Sequence, residues 1–199
     1  MESATHRRIH QRVASLRPRR LLEVGTGPGV LLARVADALP SARLVGLDRS
    51  AAMLRRARLR LGTGRAALLR ADAAALPVSP ATFDVVVCCY VLDLLPTPTL
   101  QPVLTELRRV LRSDGRALVA VMRPGSRVFN AVWATVYRLA PLLVGNCRPV
   151  DLGEPVARAG LETLEIEEPG PGLPTRLYIL RPRSITAGDG GPGRSEEKN

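Results

Sequence analysis

Three glycines at alternate positions, Gly25, Gly27 and Gly29 in the stretch EVGTGPGVLL, mark a turn that lets a nucleotide-like ligand approach the backbone closely. An acid, Glu23, stands two residues before the first of them. Dinucleotide folds read G-x-G-x-x-G/A at this point, because the third small residue lets helix and strand pack over the pyrophosphate. Here that position is Val30, and a carboxylate at Glu23 would repel a diphosphate. Val30 departs from the dinucleotide pattern, and Glu23 favours a ligand that carries positive charge. Asp48 closes the run LVGLD, 23 residues after Gly25, where an acid can accept both hydroxyl hydrogens of a ribose. Its plainer reading is an acid favoured by the dipole of the next helix. Asp72, in ADAAALP, could accept a hydrogen bond from an adenine amino group, or serve as an ordinary loop acid.

Side chains this far apart meet only if strands deliver them to one edge of a sheet. The hydrophobic pattern supplies such strands: Arg20–Val24, Arg43–Leu47, Ala66–Arg70 and the fully apolar Phe83–Cys89. Helices fall between them at Val30–Leu39 and Ala51–Leu61. In TLQPVLTELRRVL, residues Leu100, Val103, Leu104, Leu107, Val110 and Leu111 keep the i, i+3, i+4, i+7 rule. Thr97 is the expected N-cap, Pro98 the first helical residue, and Gly115 the exit before a strand Arg116–Met122. A short helix at Leu152–Ala159 and strands Leu161–Glu167 and Thr175–Arg181 follow. This alternation predicts an α/β fold, a Rossmann-like three-layer sandwich of a mostly parallel sheet between helices. EPGPGLP would return the last strand antiparallel. Residues 1–18 read as a helical segment, 19–183 as one domain, and 184–199, without apolar periodicity, as a disordered tail.

Composition bounds the function further. A chain of 199 residues, 46% hydrophobic, can bury one core. No run of 18 apolar residues is present, and MESATHRRIHQRVASLRPRR lacks the apolar segment of a secretory signal. Three cysteines, two of them adjacent at Cys88 and Cys89, form neither a disulfide framework nor a zinc spacing, so a cytoplasmic setting is expected. The net charge of +11 invites a nucleic-acid reading, yet 28 of the 29 basic residues are Arg, as codon bias would produce. Arginines cluster at Arg7 to Arg20 and at Arg55 to Arg70, as solvated surface or as a patch for an anionic partner.

Taken in order, LLEVGTGPGVLL, LVGLDRSAAML, RADAAALPVSPATFDVVVCCYVL and ELRRVLRSDGRALV resemble the successive motifs of class I S-adenosylmethionine (SAM)-dependent methyltransferases. The resemblance runs from about Arg19 to Arg183 and is similar in flavour to the branch of ubiquinone and menaquinone C-methyltransferases. It implies SAM as cofactor and a seven-stranded sheet whose final strand is antiparallel. By that resemblance Glu23 faces the amino group of the methionine part, and Gly25, Thr26, Gly27 and Gly29 line it. Asp48 takes the ribose, Arg49 and Met53 flank the adenine, Asp72 and Ala73 hold its edge, and Cys89 and Tyr90 border the methionine end.

The chain also departs from the pattern. Many relatives carry His near the start of the helix after the fourth strand; here CYVLDLLP places Asp93. Asp93 reads as a general base, a partner for a cationic substrate group, or a helix N-terminal acid. Relatives have a longer, Tyr-bearing segment before the first strand, whereas about twenty residues precede it here. His6 and His10 share a helical face, as ordinary exposed histidines, as a catalytic His10, or as half of a metal site; no metal is expected. On the substrate side, Val128, Phe129, Val132, Trp133, Val136 and Tyr137 form one helical stripe. It reads as a pocket wall, as packing on the sheet, or as a membrane-surface contact flanked by Arg127 and Arg138. The expected reaction methylates a small, mainly apolar acceptor such as a quinone, phenol or lipid-like molecule, with Asp93 and Tyr137 as catalytic candidates. The alternatives are an RNA methyltransferase and a non-catalytic SAM-fold interaction protein. Cys88-Cys89-Tyr90-Val91 lacks the Asn/Asp-Pro-Pro-aromatic motif of enzymes that methylate exocyclic base amines.

Overall fold

Alternation of inward residues along each strand sets the architecture. In the computed structural model, which describes residues 3–125, 135, 147–170 and 174–184, seven strands form one sheet in the order β3-β2-β1-β4-β5-β7-β6. These are β1 (Arg20–Val24), β2 (Arg43–Asp48), β3 (Ala67–Arg70), β4 (Phe83–Cys89), β5 (Leu111–Met122), β6 (Leu161–Glu167) and β7 (Thr175–Pro182). The first five are mutually parallel, and β7 runs antiparallel to both of its neighbours. The seven-stranded sandwich with its antiparallel last strand is the expected fold.

One face of the sheet, carrying Leu21, Val85, Val87, Leu118 and Ala120, packs on α1 (Ala4–Leu16), α2 (Val30–Ala38) and α3 (Ala51–Leu61). The other, carrying Leu22, Val24, Val86, Cys88, Ala117 and Val119, packs on α4 (Thr97–Val110) and the short α5 (Gly153–Arg158). Strands buried on both faces read as continuous apolar runs, which is why FDVVVCC needed no polar alternation. Ser3 caps α1 by accepting the His6 N–H, and Ser50 caps α3 by accepting the Met53 N–H.

Two local expectations are corrected. Thr97 is the first helical residue of α4 and not its cap, because Pro96 ahead of it is already extended and offers no side-chain bond. Gly115 is not a helix exit: α4 passes straight into β5 at Leu111, which pairs with Phe83 before the register shifts and Arg116 pairs with Val85. Gly115 sits within that irregularity, where a Cβ would lie 3.0 Å from the Asp84 carbonyl oxygen. Residues 126–134 and 136–146, which hold the aromatic stripe and Tyr137, lie outside the described residues, as does the tail beyond Ser184. Among the described residues no helix is long and apolar enough to cross a membrane.

Candidate active site

The glycine turn is fastened to the end of the neighbouring strand. The N–H groups of Gly25 and Thr26 donate to the Leu47 carbonyl at 2.7 and 2.9 Å. Asp48, the last residue of β2, accepts the Gly27 N–H on Oδ2 and the Ser50 N–H on Oδ1, both at 2.8 Å. A carboxylate has about four acceptor positions, so two remain for a pair of ribose hydroxyls. Gly25 has a φ of 73° and such close neighbours that a Cβ would lie 2.1 Å from Val91 Cγ2. At Gly27, φ is 53° and a Cβ would meet nothing within 4 Å, so the turn is open on that side. The first glycine is required by the protein's own packing, the second by backbone conformation beside free space.

Glu23 is 4% exposed and accepts the Thr26 hydroxyl. Burial pushes its carboxyl up to about 8, and the nearby Asp48 adds to the shift. Among the described residues no cation pairs with it. A buried acid without a cation is costly to ionise, and an ammonium beside it would remove that cost. This donor set fits SAM, whose methionine part carries an amino group; it does not fit a diphosphate.

Arg49 is exposed just past Asp48, and Met53 is half-buried in the first turn of α3. Asp72 is exposed and folds its own turn by accepting the Ala74 N–H at 2.9 Å, while Ala73 packs against the core. Asp48 thus ends β2, and Asp72 follows the end of the adjacent β3. His6 and His10 both lie on α1, and no group of three or more His, Cys, Asp or Glu among the described residues is arranged to hold a metal.

The other half of the site lies past β4. Burial raises the Cys89 thiol well above its ordinary range, which leaves a neutral, half-buried side chain and no thiolate nucleophile. Tyr90 stands at φ 54°, its N–H on the Ala120 carbonyl. Its hydroxyl lies 2.8 Å from the Thr5 hydroxyl and 2.7 Å from that of Thr175, so it ties α1 to β7. Sequence reasoning missed this tie and the contact of Val91 with Gly25, because neither partner is near in the chain.

Asp93 sits in a 3₁₀ turn, Leu92–Leu94, with 0% of its surface exposed. Its Oδ2 accepts the Met122 N–H at 3.3 Å, and its Oδ1 has no hydrogen-bond partner among the described residues. Burial pushes this carboxyl up to about 6, against the pull of the Met122 N–H and the Arg148 charge. The Arg148 guanidinium is itself engaged with the Leu95 carbonyl. Asp93 is thus an acid in the first turn of a short helix, and a fully buried one. Tyr137 lies outside the described residues.

Comparison with known proteins decides what kind of domain this is. The sequence model of a family described as "Methyltransferase domain" matches residues 21–115, the stretch that holds the glycine turn, Asp48, Asp72 and Asp93. Residues 21–115 thus resemble a methyltransferase domain. The chain is 31% identical over 190 residues to a malonyl-[acyl-carrier protein] O-methyltransferase of Legionella pneumophila, covering 89% of this chain and 65% of that protein. It is 32% identical over 137 residues to a demethylmenaquinone methyltransferase of Deinococcus radiodurans, covering 65% of this chain and 56% of that one. The chain spans between 33% and 65% of the length of the curated relatives it matches. Among solved structures, the mitomycin 7-O-methyltransferase MmcR shares the fold with a TM-score of 0.71 at 24% identity, over 90% of this chain and 54% of that one. The residues expected to hold a cofactor lie at, or in the segments that follow, the carboxyl ends of β1, β2, β3 and β4.

Proposed function

We propose that the chain is a SAM-dependent methyltransferase acting on a small, mainly apolar acceptor. The observation that carries the reading is the buried Glu23, with no cation beside it among the described residues, at the foot of a glycine turn whose partner acid, Asp48, accepts only two hydrogen bonds from those residues. The relatives named for menaquinone and malonyl-carrier substrates support a small or carrier-bound acceptor. When bound, SAM supplies an activated methyl group on a sulfonium, so the protein's task is alignment and exclusion of water. Glu23 holds the ammonium, Asp48 the ribose, Arg49 and Met53 the faces of the adenine, and Asp72 with Ala73 its edge. Gly25, Thr26, Gly27, Gly29, Cys89 and Tyr90 shape the methionine end.

Asp93 is our candidate for the group that takes a proton from the acceptor. Its unpartnered Oδ1 gives it a free lone pair, and a carboxyl raised to about 6 is a better base than an ordinary aspartate. Tyr137, on the aromatic stripe, is the second candidate.

Calorimetric titration with SAM and NAD tests the cofactor half. Micromolar SAM binding, no heat with NAD, and a loss of about 100-fold or more in Asp48→Ala are expected, because that change removes both the ribose acceptor and the anchor of the Gly27 N–H. NAD binding, or SAM binding untouched by Asp48→Ala, would sink the reading. Methyl transfer is then screened on quinones, phenols, lipids and RNA. Asp93→Asn should lower transfer by about 100-fold while leaving SAM affinity unchanged.

A further inference from the structure

The two arginine clusters meet different fates. In the first, Arg8 and Arg12 on α1 pair with Glu165 and Glu167 of β6. In the second, no acid stands between Asp48 and Asp72. Arg49, Arg55, Arg56 and Arg58 are exposed, and no carboxylate pairs with them among the described residues. On α3 the exposed Ala52, Arg55, Arg56 and Leu59 follow i, i+3, i+4 and i+7, so they share one face. Leu59 is 86% exposed, the highest value among the exposed large hydrophobic residues that the structure describes. Leu59 beside Arg55 and Arg56, which no carboxylate pairs with among the described residues, gives this face an apolar centre and a basic rim.

We propose that this outer face of α3 docks an acidic amphipathic polypeptide segment. Carboxylates of such a segment would pair with Arg55 and Arg56 while an apolar side chain covers Leu59. A nucleic acid answers to the charge but not to the leucine. Residues 51–70 also contain no aromatic side chain on which bases could stack. The inner side of α3 abuts the cofactor turn. A Cβ on Gly29 would lie 3.0 Å from the Ala57 Cβ, and the Arg60 guanidinium donates to the Pro28 carbonyl. A partner on this helix is thus one residue layer from the glycine turn.

The test uses the full chain and a fluorescein-labelled synthetic helical peptide of about 20 residues with glutamate rows beside a leucine stripe. Its binding is read by anisotropy at about 50 and about 300 mM NaCl. Binding that weakens with salt, falls at least about tenfold in Arg55→Glu/Arg56→Glu and falls by a comparable factor in Leu59→Ser is expected. Arg17→Glu/Arg19→Glu, in the link between α1 and β1, should leave it within about twofold. Thermal melting and SAM titration of each variant confirm that the fold is intact. Absence of peptide binding, or equal weakening by the Arg17 and Arg19 changes, overturns the proposal. Single-stranded or duplex RNA of similar length that binds more tightly, and is indifferent to Leu59→Ser, overturns it in favour of a nucleic-acid face.

Discussion

Glu23 has its proton in the wrong place for an ordinary glutamate, and that has a measurable sign. With the folded carboxyl raised to about 8 from 4.5, the folded chain holds more protons than the unfolded chain between those values. The stability tied to that proton is fully present below 4.5 and is lost as pH rises through 8. In Glu23→Gln the side chain does not ionise, so denaturant midpoints of the native chain should fall relative to the variant from about pH 5 to pH 8. A cation beside Glu23 favours the carboxylate, so SAM binding at pH 7 should release up to one proton. Calorimetry in two buffers of different ionisation heat measures it, and the release should vanish in Glu23→Gln. If the native chain and the variant release the same number of protons, Glu23 does not face the cation. Of this residue the sequence shows the acid two places before the glycines; that no cation stands beside it among the described residues depends on several strands.

Elements explain which parts of the site were legible in advance. Strand and helix boundaries around β1, α3 and β4 follow from short-range periodicity, and the structure keeps them within a residue. The turn at Gly115 did not follow, because a glycine after a helix usually marks an exit, whereas here the register between β4 and β5 claims it. The region past β4 was least legible, since Tyr90 and Val91 act on α1, β7 and the glycine turn, all remote in sequence. The Gly25–Val91 contact can be tested from both sides. Gly25→Ala should abolish measurable SAM binding, because its methyl would overlap Val91 and the turn keeps φ 73°. Adding Val91→Ala removes the overlap but not the backbone strain, so roughly 1–2 kcal/mol of penalty should remain and SAM affinity should return in part. A Gly25→Ala variant that binds SAM as the native chain does would show that the contact is dispensable.

At the scale of the whole molecule, charge is distributed unevenly. The guanidinium groups of Arg8 and Arg12 on α1 are spent on β6, and the pair of threonines around Tyr90 fastens the same helix to β7. The antiparallel β7 has a further consequence, which concerns the order in which the molecule can be assembled. It is the last strand among the described residues yet lies between β5 and β6, joined to both along its length. Until β7 is made, the emerging polypeptide has an open sheet edge at β5, an unpartnered β6, and Leu177 and Tyr178 missing from the two opposite cores. The closing step is a wedge insertion, with its long-range half, β5 to β7, waiting on the local hairpin of β6 and β7. A chain released from synthesis after Glu167 would be left with that slot vacant, sticky and prone to pairing with its neighbours.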